Sequence, residues 1–399
     1  MKRLITILWK IPSAILLVAL MVLTLFSVSA IYNFRKPAPF TGDAIFNPYA
    51  ALDTAYCWKK SVFHTHTKVK GPWPPNEGSM WPQEVWDVYD RLGYDIVTFS
   101  NHNELTRHPF DTSLQVNVYE QGYGLFKYHK LVFGSKGVVH VDHILPVLAS
   151  QKQFQLEYLG KGSDFIQLNH PYRTGMMTKD VMEKLSGYEI TELDTHIGTQ
   201  NEYWDWALSA GHYSFGLAND DLHRPERHWL TGIRANFLCC PSGRYEDIKK
   251  TLLGGCYYAM RIPDYGAGDW DEKALRHHNL IEVEDIGLDG SRIYARFSAV
   301  ADSIRVNGQD HATLLLATNT DTLSYTMTPQ DNFARITAYF PEGEVIYSNP
   351  FARYNPSVQD SPFNDEPQKI NWFLTVLFNL GLLAVLYGLA VLLIKLIRK

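Results

Sequence analysis

A chain of 399 residues, 46% of them hydrophobic, is long enough for about two domains with buried cores. Its 42 acidic and 37 basic residues give a formal net charge of -5 with no basic stripe to hold a phosphate backbone, which argues against nucleic acid as a partner. Cys57, Cys239, Cys240 and Cys256 match neither a CxxC metal knuckle nor a dense disulfide framework; burial as small apolar residues is expected, and a bridge from Cys256 to one of the vicinal pair stays open in an oxidising compartment.

Residues 1–32 read as a transmembrane helix or signal anchor, because Ile11 to Ile31 is 21 residues without a charge and a helical span needs about 20. Ser27-Val-Ser-Ala30 resembles a signal-peptidase site, so a cleaved signal is the alternative. A polar, Pro-containing linker follows over 33–54. The region 55–275 then alternates strands with helices. Strands are predicted at Ser61–His64, Tyr94–Ser100, Leu131–Phe133, Asp164–Leu168, Tyr188–Leu193 and Ser214–Ala218. Helices are predicted at Trp81–Leu92, Gln151–Leu159 and Asn201–Ala210. Such alternation predicts a parallel α/β barrel or sheet. The loops Pro72-Trp-Pro-Pro75 and Trp81-Pro82 either wall a pocket or pack over a barrel mouth.

Over 276–354 the runs shorten to Arg292–Ser298, Ala312–Ala317, Thr322–Met327 and Ala334–Phe340, which predicts a small antiparallel β-sandwich. Residues 355–370, with Pro356, Pro362 and Pro367, read as a tether. A second transmembrane helix is expected over 371–397, where Trp372 to Ile394 is 23 uncharged residues. Lys2, Arg3 and Lys10 precede the first span and Lys395, Arg398 and Lys399 follow the second. The positive-inside rule puts both termini in the cytoplasm and the region between them in the periplasm or outside, at a bacterial inner membrane.

Four polar clusters each follow a predicted strand: His64-Thr-His66, Ser100-Asn-His-Asn103, Asn169-His-Pro171 and Asp220-Asp-Leu-His223. Strand ends converge at one end of a sheet or barrel, where α/β folds place their chemistry. Imidazoles gathered there would be buried unpaired unless they bound something, so the clusters point to a multi-metal hydrolytic site. Arg173 and Arg224 stand where a guanidinium fork meets an anionic substrate, with a surface salt bridge as the plain alternative. Trp204 and Trp206 are expected in the core, and His140 and His143, flanking Asp142, in structural roles. Glu192 is either a partner for a ligand or a core-edge hydrogen-bond acceptor. Gly254-Gly255 lacks a phosphate-loop pattern, and no Ser nucleophile elbow is present.

In order, His64-x-His66, Asn101-His102-Asn103, His170-Pro171 and Asp221-x-His223 resemble the motifs of the PHP (polymerase and histidinol phosphatase) metallohydrolases. Trp204-Asp205 and Leu208 to Gly211, leading into the Asp-x-His, look most like the CehA/McbA-type branch, and the resemblance extends to Tyr347-Ser-Asn-Pro350. It implies a distorted (β/α)7 TIM-like barrel before the sandwich, holding two or three divalent ions of Zn, Mn or Fe. Glu120, in Val118-Tyr-Glu-Gln-Gly122, stands at the bridging Glu. By the same carry-over His64, His66, Glu120 and Asp221 hold one ion, Glu120, His129 and His170 a second, and His102 and His223 a third or the substrate. Two departures are that Val69 to Pro75 has no histidine and that Asn101 replaces a frequent Asp. The expected activity is that of a membrane-anchored phosphoesterase using metal-activated water, with His102, His223 and Arg173 catalytic. The expected substrate is a small anionic ester or a membrane- or envelope-derived compound, held by Arg173 and Arg224. Hydrolysis of carboxylic or carbamate esters or amides is an alternative, as is a non-catalytic metal-stabilised sensor or scaffold.

Overall fold

Val118–Gln121, Lys130–Phe133 and Phe165–Leu168 are strands buried at every position, as strands covered on both faces must be. A computed structural model describes residues 2–53, 58–70, 77–123, 126–363 and 366–398, with side chains from Trp9 onward. The Pro72–Pro75 loop and Cys57 lie outside the described residues, while Cys239, Cys240 and Cys256 are buried free thiols. In the first sheet, which is six-stranded, the order is Phe215–Ala218, Ile190–Thr195, Phe165–Leu168, Lys130–Phe133 and Val118–Gln121, with Gly198–Thr199 paired onto Ile190–Thr195. The first two pairings along that order are parallel and the next two antiparallel. Behind this sheet lies the helix Asn201–Ser209, whose Trp204 is fully buried. Gly216 makes that packing possible: a Cβ there would meet Leu193 at 2.4 Å and the Trp204 ring at 2.7 Å.

The second sheet has 11 strands. Its main path runs from Val283–Asp289 through Arg292–Asn307, Phe333–Tyr339, Val345–Ser348, Tyr257–Arg261 and Arg234–Leu238 to Lys59–Val62 and the edge strand Ile96–Val97. The helix Pro82–Arg91 precedes that edge, buries Val85 and Tyr89, and is held at its start by Trp81 N donating to Glu84 Oε2 at 2.7 Å.

Among the described residues no sheet closes into a barrel, which overturns the predicted (β/α)7 architecture. Two causes are visible. The connection from Gln121 to Lys130 is too short for the crossover of a dozen or more residues that parallel strands need, so those strands run antiparallel. Between the two sheets, moreover, the backbone pairing among the described residues is the isolated bridges Thr65↔Leu222 and His102↔Glu120, while side chains make the other joins, such as Asn236 with Ala218 and Arg234 and Arg261 with Asp194. Beside those bridges Asn103 and Asp221 both have φ of 51°, a left-handed conformation that ends a strand.

Among the described residues the predicted sandwich strands do not form a sheet of their own. Arg292–Asn307 pairs with Phe333–Tyr339 and, through Val345–Ser348, continues into Tyr257–Arg261, so these strands extend the sheet that carries the first histidines. Two predicted runs are a single strand, Thr313–Thr326. Asn319, a residue type that signals a turn, keeps a left-handed φ of 52° inside Thr313–Thr326, and Asp302 is exposed within Arg292–Asn307, so the turn signals are local irregularities of long strands rather than their ends.

Of the two expected spans, only Trp372–Arg398 is, among the described residues, a helix long and apolar enough to cross a membrane. The N-terminal helix ends at Leu25 rather than running to Ile31, leaving the shorter apolar stretch Trp9–Leu25. Residues 29–33 are instead tied to the C-terminal segment. Ser29 O accepts from Asn379 Nδ2 at 2.9 Å, Ile31 N donates to Thr375 Oγ1 at 2.9 Å, and Tyr32–Asn33 pairs with Lys369–Ile370.

Candidate metal centre

The sequence-nominated ligands sit in strands or within a few residues of strand ends. His64 and His66 follow Lys59–Val62, and His66 N donates to Leu222 O at 2.8 Å, which sets the first pair beside Asp221 and His223. Glu120 lies in its strand, His129 immediately precedes Lys130–Phe133, and His170 follows Phe165–Leu168. His170, at φ 24° and ψ 59°, and Asp221 are strained non-glycine positions, a cost of order 1–3 kcal/mol each that persists where the surroundings demand the geometry.

Glu120 is the hub. Its Oε2 lies 3.3 Å from His64 Nε2, 3.2 Å from His66 Nε2 and 3.2 Å from His102 Nδ1. Its Oε1 lies 3.0 Å from His129 Nδ1 and 3.1 Å from His170 Nε2, and accepts from Asn169 Nδ2 at 2.9 Å. Asp221 Oδ1 is 3.3 Å from His64 Nε2, 3.4 Å from His66 Nε2 and 3.8 Å from His223 Nδ1, while Oδ2 accepts from Arg173 at 2.7 Å. Three donor groups fall within 4.8 Å: His64, His66, Glu120 and Asp221; His102, Glu120 and His129; and His66, His102 and His223. His170 reaches Glu120 but stands outside those groups.

The donor atoms are buried and unsatisfied. His64 Nε2, His66 Nε2, His102 Nδ1 and Asp221 Oδ1 make no hydrogen bond, and each such atom costs about 1–3 kcal/mol unless something binds it. The far sides of the first two rings are anchored: His64 Nδ1 lies 2.9 Å from Glu192 Oε1 and His66 Nδ1 lies 2.5 Å from Glu77 Oε1. Carboxylates placed this way fix ring orientation and sharpen the inward nitrogen as a ligand. The donor set, imidazoles with two shared carboxylates, fits divalent Zn, Mn or Fe without selecting among them.

Electrostatics follow the same division. Burial works against charge on His64, but Glu120, Glu192 and Asp221 raise it to about 10, and Glu77 with the shared carboxylates lifts His66 well above its usual value. Burial dominates at His129 and His223, pushing both down to about 3. Despite burial, neighbouring imidazoles hold Glu120 and Asp221 well below the usual carboxylate range.

A cavity of about 310 Å³ opens beside the cluster, lined by Lys127, Arg173, His196, His223, Arg224 and Arg227 among others. Both sequence-nominated arginines therefore stand at its wall. Glu192, buried, also accepts from His170 N at 2.9 Å, which makes it a support for two nominated ligands. His140 and His143 lie apart from the cluster, on Tyr123, Gln155 and the Val28 carbonyl. Sequence reasoning passed over Glu77, His196, Lys127 and Arg227 as site residues and named Asn169 only as part of its cluster; nothing in the spacing marks Glu77 as the partner of His66.

No protein-family model matches the chain and no curated protein matches it. Among solved structures, one from Bacteroides vulgatus ATCC 8482, described as a two-domain protein containing predicted PHP-like metal-dependent phosphoesterase, is similar at 14% identity over 79% of this chain and 99% of that chain, with a TM-score of 0.37. Its description names no CehA/McbA branch. So slight a likeness carries no inference about fold or chemistry, and the centre is read from its own donors.

Proposed function

We propose that the protein is a metal-dependent hydrolase acting on phosphate esters, held to a membrane by its C-terminal helix. The observation that supports this most is Glu120, whose two oxygens face two separate sets of imidazoles, with His64 Nε2, His66 Nε2 and His102 Nδ1 on the Oε2 side buried and without a hydrogen bond. In this reading His64, His66, Glu120 and Asp221 hold one ion, and Glu120, His129 and His102 or His170 a second. Divalent ions held by these residues would supply positive charge to polarise the scissile group and lower the pKa of water toward about 7.

The chain's own groups do the rest. Arg173, fixed by Asp221, points its remaining N–H groups at a phosphoryl oxygen and offsets charge that builds during attack. His223 lies at the cavity wall with Nδ1 toward Asp221; burial keeps the ring neutral, so Nε2 positions water or the departing oxygen by a hydrogen bond, and the proton that oxygen takes up comes from water. Glu192 and Glu77 keep the His64 and His66 rings from turning away. Lys395 and Arg398 close the C-terminal helix, which by the positive-inside rule sets the catalytic region on the far side from the cytoplasm.

The test uses full-length protein in detergent. Bound metal is measured, and p-nitrophenyl phosphate, bis(p-nitrophenyl) phosphate, a p-nitrophenyl carboxylate ester and an anilide are assayed with and without chelator. Near-stoichiometric metal with chelator-sensitive cleavage of a phosphate ester is expected. Cleavage confined to the carboxylate ester or anilide would move the reading to ester or amide hydrolysis, and metal without any turnover would make the centre a structural one.

A further inference from the structure

Arg224 and Arg227 present two cationic forks from one turn, in which Arg227 N donates to Arg224 O at 2.9 Å. That turn is pinned from beneath: the buried hydroxyl of Thr231 donates to the carbonyls of Pro225 at 3.1 Å and Arg227 at 3.0 Å. Lys127 faces the same cavity. Lys127, Arg224 and Arg227 make no ion pair among the described residues, unlike Arg173, which Asp221 already engages.

The carboxylates nearby are committed elsewhere. Asp220, buried, accepts from Tyr89 Oη at 2.8 Å and Gly232 N at 2.6 Å. Asp221 is held in the histidine cluster. Exposed Glu226 accepts from the Ser79 hydroxyl at 2.6 Å rather than from a guanidinium. Three cations without an ion pair among the described residues thus share one wall.

A single scissile phosphoryl group needs the metal donors and Arg173; it leaves the Arg224–Arg227 turn and Lys127 without a counterpart. At about 310 Å³ the cavity falls in the range of roughly 300 to 1,000 Å³ that takes whole small molecules. Guanidinium forks match phosphate and carboxylate oxygens two at a time. Resting on the hydrolase reading above, we infer that the substrate is a small ester bearing a second anionic group, not itself cleaved, that binds Arg224 and Arg227. A long polyanion is disfavoured by the net charge of -5.

Calorimetry on manganese-loaded, full-length protein tests this independently of turnover. The probes are propyl phosphate, 1,3-propanediol bisphosphate and the analogue carrying a carboxylate in place of the second phosphate. The native chain is expected to prefer the bisphosphate over propyl phosphate about tenfold or more. The exposed double variant Arg224→Gln/Arg227→Gln is expected to bring that ratio to within about twofold while still binding propyl phosphate. The carboxylate analogue decides whether the second group is phosphate-like or any anion. Equal binding of the mono- and bisphosphate by the native chain, or a preference that survives in the double variant, overturns the inference and leaves the hydrolase reading intact. Failure of every probe to bind the loaded protein overturns both.

Discussion

Two of the charged clusters buried among the described residues are built to opposite plans. On the back of the first sheet, Asp205 and Arg335 form a complete pair: Arg335 Nε and Nη2 each donate to the carboxylate at 2.7 Å, Nη1 donates to Thr337 at 3.1 Å, and His311 adds a bond at 3.0 Å. At the strand ends, Glu120 and Asp221 face imidazoles at 3.0 to 3.8 Å while four inward atoms stay unbonded. Burial opposes charge on the carboxylates in both places, and neighbours outweigh it: Arg335 and His311 at Asp205, imidazoles at Glu120 and Asp221. A guanidinium finishes its own network. Imidazoles converging on shared oxygens leave a volume suited to a cation, so the same degree of burial signals structure in one cluster and ligand binding in the other.

The sharpest way to break the contrast is to neutralise the acid in each. Asp221→Asn is expected to lower phosphate-ester turnover on the order of a thousandfold and to reduce bound metal, with the fold retained by circular dichroism. Asp205→Ala should do the reverse. It strands Arg335, which is 3% exposed, and costs about 3–5 kcal/mol of stability, while activity per folded molecule is unchanged. Loss of stability but not metal in the first variant, or of metal but not stability in the second, would erase the distinction.

A smaller effect is expected from Glu192→Gln, which keeps the shape but weakens the grip on His64. Outer carboxylates of this kind govern metal affinity by about 10–100-fold, so the dissociation constant measured by competition with a chromogenic chelator should rise by that factor. An unchanged constant would reduce Glu192 to the plain hydrogen-bond acceptor that its position also allowed.

Much of the centre was legible in the sequence because ligation is a matter of residue type at strand ends. His64, His66, Glu120, His129, His170, Asp221 and His223 were nominated from local motifs or from the resemblance they carried, and the fold brings them within reach of one another. Individual strands and helices were legible for a similar reason: Phe165–Leu168 is a buried run and Pro82–Arg91 has helical spacing. The assembly was not. Strand direction depends on connection length, and the Gln121 to Lys130 link forces an antiparallel pair into what read as a parallel series. Asn319, a turn-former, takes a left-handed φ of 52° inside Thr313–Thr326 without ending it, so a local irregularity read as a break between strands. Glu77 escaped because its contact with His66 is set by a loop, which has no period to read. Ile11–Ile31 was uncharged throughout, yet Ser29 and Ile31 find hydrogen-bond partners in Asn379 and Thr375 that draw the chain out of the helix.

The least of the expected effects lies in the completed pair and concerns pH. A hydrogen bond to Asp205 raises the His311 pKa, with burial opposing it. A folded pKa above the unfolded value stabilises while the imidazole is charged in both states, so the contribution is full below about pH 6.5 and fades as pH rises through the folded value. Asp205, depressed in the folded state, behaves oppositely: its contribution is present above the unfolded carboxylate pKa of about 3.9 and is lost as pH falls. The two overlap between those limits. Because the His311 side chain is 42% exposed, solvent screening keeps its share below about 1 kcal/mol. His311→Gln should therefore lower thermal stability slightly at pH 5.5 and by less at pH 8.5, whereas an equal loss at both would mean that the ring contributes packing rather than charge.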